Sequence, residues 1–146
     1  MKPTEFLEQA KRLAANGARA ADFRTAVSRA YYAAYHVAFA ELVNLGCAPT
    51  TDNRGHIDIR DHLSNSGDQL MSEFAIKLSN LHGARREADY RLQRLRYERQ
   101  RTAQAIVEQA SRIIQNLTKH CHGEKRPALQ AALTTWARAA GKLPAP

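Results

Sequence analysis

Arg29 and His36 stand seven positions apart in the stretch Ala26-Val27-Ser28-Arg29-Ala30-Tyr31-Tyr32-Ala33-Ala34-Tyr35-His36. Seven residues is close to two helical turns, so guanidinium and imidazole share a face, with Ala33 between them. An imidazole titrates near neutrality and can move a proton. A guanidinium can hold a phosphate through its planar donor fork. Ser28 and Tyr32, beside the arginine, could orient such a phosphate. A proton-transfer group beside a cation suits acid–base chemistry at a phosphate. The competing reading is structural. An arginine buried on an alanine-rich helix needs an anionic partner, because an uncompensated buried charge is costly.

A second feature is electrostatic. The chain has 146 residues and a formal net charge of +8, carried unevenly. Between residues 85 and 101 every cation is an arginine: Arg85, Arg86, Arg91, Arg94, Arg96, Arg99 and Arg101. Such a block on a basic protein is either a solvated helix face or a strip for a polyanion, and nucleic acid is the expected ligand.

Other clusters carry weaker chemistry. His56, Arg60, Asp61 and His62 lie together, but His-x5-His has no standard metal spacing. His120, Cys121 and His122 fit a helix C-terminus, where imidazole is favourable against the dipole. Trp136, with Leu129, Leu133 and Ala137, reads as the anchor of a last helix. Phosphate loops, paired carboxylates at catalytic spacing and Ser or Cys nucleophile motifs do not occur, so no metal or cofactor is expected.

These residues need helices to position them. Pro3-Thr4 opens a first amphipathic helix with Thr4 as the expected N-cap, and Asn16-Gly17 ends it. A long second helix follows, capped by Asp22 and ended by Gly46, with Phe23, Ala26, Val27, Ala30, Ala34, Val37 and Leu45 on its packed side. Residues 47–67 carry loop signals, with a possible turn of helix from Ile57 to Leu63. A third helix is expected from Asp68 to Leu81, with Gly83 as a break, and a fourth from Ala84 to about Arg96. Ala103, Ile106, Val107, Ala110, Ile113, Ile114 and Leu117 follow the i, i+3, i+4, i+7 template of a fifth. Pro127 suits the first turn of a short sixth helix through Ala140. With no convincing strand, the fold class is an all-α, up-and-down bundle of about five helices over residues 1–123, with 124–146 as a C-terminal extension.

The stretch from Ala26 to His36 resembles the second helix of HEPN domains (higher eukaryote and prokaryote nucleotide-binding). Arg85-x-x-Ala88-Asp89-Tyr90 is similar to a second signature of the same branch. The resemblance covers roughly residues 4–120. It implies a helical bundle that commonly dimerises and acts on or binds RNA or nucleotides. Many members are metal-independent ribonucleases of toxin–antitoxin, CRISPR and phage-defence systems. Others are inactive partners of a minimal nucleotidyltransferase. The nuclease members use an Arg followed four to six residues later by His, and two copies face each other across the dimer. Here Arg29 and His36 are separated by six residues, on the second helix rather than late in the chain, so any such motif is degenerate. Arg112 with His120 and Arg54 with His62 fall outside the range.

The expectation is therefore an RNA-binding homodimer, plausible as an endoribonuclease through Arg29, His36, Ser28 and Tyr32, with the arginine block on the RNA backbone. The alternative is a non-catalytic accessory module that binds a nucleotidyltransferase partner or a nucleotide. Asp89 of the second signature is the expected structural partner of Arg29. The N-terminus lacks a signal-peptide pattern, and two isolated thiols, Cys47 and Cys121, fit a reducing compartment, so the cytoplasm is the expected location.

Overall fold

The structure is a computed structural model that describes residues 1–146. It contains six α-helices and one 3₁₀ turn: α1 (Pro3–Asn16), α2 (Ala20–Asn44), α3 (Gly55–Ser64), α4 (Gln69–Tyr90), the turn Leu95–Glu98, α5 (Gln100–Cys121) and α6 (Arg126–Ala139). No helix is long and apolar enough to cross a membrane.

α2 is the central element, and α1, α4 and α5 pack around it. Ala26, Ala30, Ala33, Ala34 and Ala38 are all essentially inaccessible. Small side chains at these positions let the neighbouring backbones approach closely, so α2 is buried on more than one side. α5 contributes the clean apolar stripe, with Ala103, Ile106, Val107, Ala110, Ile113, Ile114 and Leu117 all buried. Leu129 and Leu133 of α6 belong to the same continuous core.

The helix ends correct two expected caps. Thr4 lies inside α1, Pro3 occupies its first turn, and the Glu5 carboxylate accepts from the Lys2 amide at 2.8 Å. Asp22 is likewise within α2 and reaches back to accept from the Arg19 and Ala18 amides at 3.0 and 3.1 Å. Those amides hold its carboxyl below the usual carboxylate range. A carboxylate three residues into a helix satisfies orphan amides as an N-cap does.

The expected break at Gly83 is absent, and the third and fourth helices of the sequence reading are one helix, α4. Gly83 sits on the exposed side, where an added Cβ would meet nothing within 4 Å. Its helical penalty, about 1 kcal/mol relative to alanine, is outweighed by the burial of Leu78 and Leu81 before it and Ala88 after it. Gly83→Ala is therefore expected to stabilise the fold by about 0.5–1 kcal/mol. A urea midpoint shifted upward at unchanged slope checks this.

Candidate phosphate-binding face

α4 ends at Tyr90, and the chain returns to α5 through Arg91–Arg99. One buried residue of α2 organises this return. Arg24, 8% exposed, donates to the carbonyls of Ala88 (2.9 Å), Leu92 (2.8 Å), Arg94 (3.2 Å) and Arg91 (3.4 Å). Its Nε and one terminal nitrogen reach Glu98 Oε1 at 3.1 and 2.8 Å. All three nitrogens of one planar group are thus engaged by one loop, which a lysine could not reproduce. Tyr97, buried in the same turn, donates to Glu87 at 3.0 Å. With Glu98 and Glu87 engaged inward, Arg86, Arg91, Arg94, Arg96, Arg99 and Arg101 stand exposed and take part in no ion pair. The arginine block is thus six outward cations on a pinned loop and its flanking helix ends, plus one inward cation.

That inward cation is Arg85, and it corrects the expected pair of Arg29 with Asp89. Arg85 Nε lies 2.8 Å from Asp89 Oδ2, though its N–H is not aligned for a hydrogen bond. Ser28 Oγ donates to the same oxygen at 3.1 Å. The two signatures do meet, but through Ser28 and the i, i+4 arginine, which occupy the carboxylate before Arg29 could. Arg29 instead lies over the Phe6 ring, 5.5 Å from its centroid, and its Nε has no hydrogen-bond partner. Ser28 is 92% buried, so it holds Asp89 and is not open to a ligand.

Arg29, Tyr32 and His36 form a stripe along α2. His36 stacks on Phe6 with ring centroids 5.6 Å apart and planes 9° apart, and Tyr35 meets it edge-on at 5.0 Å. Neither His36 nitrogen has a protein hydrogen-bond partner among the side-chain bonds, and burial lowers the pKa of the ring. Arg85 bridges to the stripe. It donates to the Tyr32 hydroxyl at 2.9 Å while its guanidinium lies 5.2 Å from the Tyr32 ring centre and 5.3 Å from that of Tyr90.

Beside this stripe lies a group that the sequence reading did not assemble. Tyr31 and Tyr35 of α2, His56 and Arg60 of α3, and His82 of α4 converge. The Tyr31 hydroxyl bonds His56 Nδ1, and the rings of His56 and His82 stack at 4.7 Å. Tyr35 packs on His56 at 4.7 Å, and Tyr31 on His82 at 5.1 Å. Gly55 lets α3 come this near, since a Cβ there would stand 2.5 Å from the Tyr35 hydroxyl. Arg60 donates to Ser79 Oγ at 2.8 Å, and its buried Nε has no partner. Burial lowers the pKa of His56, with Arg85, Arg60 and His36 adding to the effect. Burial, then His56, Arg60, Arg85 and Arg86, take His82 down to about 4. Burial raises Tyr31 well above the ordinary phenol range, so its hydroxyl stays protonated beside His56 Nδ1.

The loop histidines therefore separate. His62 is fully buried on the far side of α3, bonded to the Asp58 carbonyl at 2.7 Å and set edge-on to Trp136 at 4.9 Å, while Asp61 is exposed. His120 bonds Asp68 at 2.9 Å and His122 bonds Glu41 at 2.8 Å, tying the end of α5 to α4 and α2. Cys121 between them is buried, which raises its thiol to about 12.

A family model described as HEPN domain matches residues 2–120. No curated protein and no solved structure matches the chain.

Proposed function

The chain belongs to the HEPN domain family, whose functions relate to nucleotides or RNA, and on that premise we propose that it binds RNA across the α2–α4 face and cleaves it without a metal. A role in a toxin–antitoxin or phage-defence system, in the cytoplasm, goes with this reading. The observation that carries it is the charge balance of the face. Arg29 and Arg85 lie over aromatic rings there, Asp89 is the single carboxylate bonded to Arg29, Arg60 or Arg85, and the terminal nitrogens of half-buried Arg29 take part in no hydrogen bond or ion pair. Those terminal nitrogens are the donors open to a phosphate oxygen, which a guanidinium binds through its planar fork.

Within that reading the roles differ from residue to residue. His36 stays neutral near pH 7 because burial disfavours its cation, so it can accept the proton of a 2′-hydroxyl. Stacking on Phe6 holds the ring plane. Arg29 faces the same side and would take the charge that develops on the phosphorane. Tyr32 already accepts from Arg85, which leaves its own hydroxyl proton for a phosphate oxygen. Arg86, Arg91, Arg94, Arg96, Arg99 and Arg101 would carry the RNA backbone. In a homodimer a second copy would add its own Arg29 and His36.

The rival reading is an accessory module that docks a nucleotidyltransferase partner or a nucleotide. One observation favours it: Tyr90, Leu92 and Leu95 are 71%, 68% and 61% exposed amid the arginines. Apolar side chains so placed suit a protein surface better than a phosphate backbone. Incubation of the purified protein with total RNA in EDTA separates the two. Cleavage that is lost in His36→Ala, with helicity retained, supports the ribonuclease; equal cleavage by both proteins, or none by either, removes the catalytic role of His36.

A further inference from the structure

The stacked His56–His82 pair has no part in the cleavage chemistry proposed for His36. We propose that His56, His82 and Arg60 form a separate, proton-coupled subsite for a phosphoryl group. This rests on the reading of the face as phosphate-binding and deepens it.

The geometry points to an anion. Three helices bring their cationic or ionisable groups to one spot: His36 from α2, His56 and Arg60 from α3, His82, Arg85 and Arg86 from α4. The phenols of Tyr31 and Tyr35 face the same stack. α1 contributes only the Phe6 ring, against His36. Asp52 and Asp58 act on the Tyr35 phenol, but no carboxylate is bonded to either imidazole. Asp89 is held by Arg85 and Ser28, and Asp58 by Lys142 and the Thr50 amide on the other side of α3. Like charges gathered in a partly buried place repel one another, and two imidazoles stacked face to face cannot both take protons cheaply. A tetrahedral anion reverses that balance.

The hydrogen-bonding capacity agrees. Tyr31 occupies Nδ1 of His56, and Nε2 makes no hydrogen bond within the protein. His82 has no hydrogen-bond partner, and Arg60 keeps one terminal nitrogen free while Ser79 fixes the other. These donors lie on α3 and α4, whereas Arg29 and His36 lie along α2, so the subsite would hold a phosphate neighbouring the one at His36. Proton coupling follows from the same charges. Anion binding favours the imidazolium forms, so His56 and His82 take up protons as it binds. Affinity therefore rises as pH falls from 7.5 to 5.5.

Sulfate is the probe, because it is a tetrahedral dianion that does not itself titrate across this range. Titration of the full chain with sulfate, followed through the imidazole resonances, is expected to shift His56 and His82 first. Affinity should be about tenfold higher at pH 5.5 than at 7.5, and calorimetry in buffers of different ionisation enthalpy should show proton uptake. Arg60→Gln, which keeps a donor for Ser79, should lower the affinity, and His82→Gln should lower the proton uptake. Short RNAs with and without a 5′-phosphate identify the source of the group. Preference for the phosphorylated strand assigns a terminal monoester, and equal proton-coupled binding assigns a backbone phosphodiester. Sulfate binding that is independent of pH, or that leaves His56 and His82 unmoved, overturns the inference. Salt-sensitive RNA binding that survives that result would leave the RNA reading standing; sulfate binding without RNA binding would remove the RNA reading alone.

Discussion

Arg24→Met should be the most damaging single change to the fold, at about 3 kcal/mol, the lower end for removing one member of a buried ion pair. The guanidinium leaves behind four backbone carbonyls and the Glu98 carboxylate. Glu98 is 32% exposed, so it can regain water, which keeps the cost at that lower end. For a chain of this size the melting temperature should fall by about 10 °C. Hydrogen exchange should locate the damage, with the amides of Ala88–Glu98 losing protection before those of α5. Arg24→Lys should recover little, because one ammonium cannot span the sites that the planar fork occupies. Unchanged protection in that loop would show that Arg24 does not organise it.

Arg85→Ala should have the largest effect on binding. Its guanidinium joins the Asp89 carboxylate, the Tyr32 hydroxyl and the rings of Tyr32 and Tyr90. Removal leaves Asp89 with Ser28 alone and turns the charge of the face from positive toward neutral. RNA affinity is expected to fall at least tenfold, equivalent to about 1.4 kcal/mol. Stability should fall by about 1–2 kcal/mol, since the pair is only partly exposed. Arg85→Lys should restore part of the stability and little of the affinity, because it returns the charge without the fork. A lysine variant that binds as the parent does would reduce Arg85 to a point charge.

Some of this was legible in the residues. The stripe of α5 is unambiguous because one face alone is buried, and the all-α class follows from several such segments. α2 shows its alanines and tyrosines openly. Gly83 misled because the penalty of an exposed helical glycine is small, and only tertiary packing shows that Leu78, Leu81 and Ala88 outweigh it. The approach of the two signatures was readable, but its pairing was not. Arg29 and Ser28 are neighbours on α2, and which of them meets Asp89 depends on the rotation of α2 against α4. Arg85, one turn before Asp89, competes at the i, i+4 spacing and takes the carboxylate. Arg24 gave no signal at all, since four of its partners are backbone carbonyls that any sequence would supply. His82 stood alone in α4 and gained meaning only when α3 brought His56 against it.

A face that holds RNA by its phosphates should release it as salt rises, which a salt titration of single-stranded RNA binding measures. For single strands the logarithm of affinity falls with the logarithm of salt at a slope of about −0.7 per phosphate contacted. Engagement of four to six of the outward arginines gives a slope of about −3 to −4. Removal of Arg91 and Arg94 together should make the slope shallower by about 1.4. RNA binding that ignores salt, or a slope unmoved by the loss of both arginines, would show that this face does not hold RNA by its phosphates.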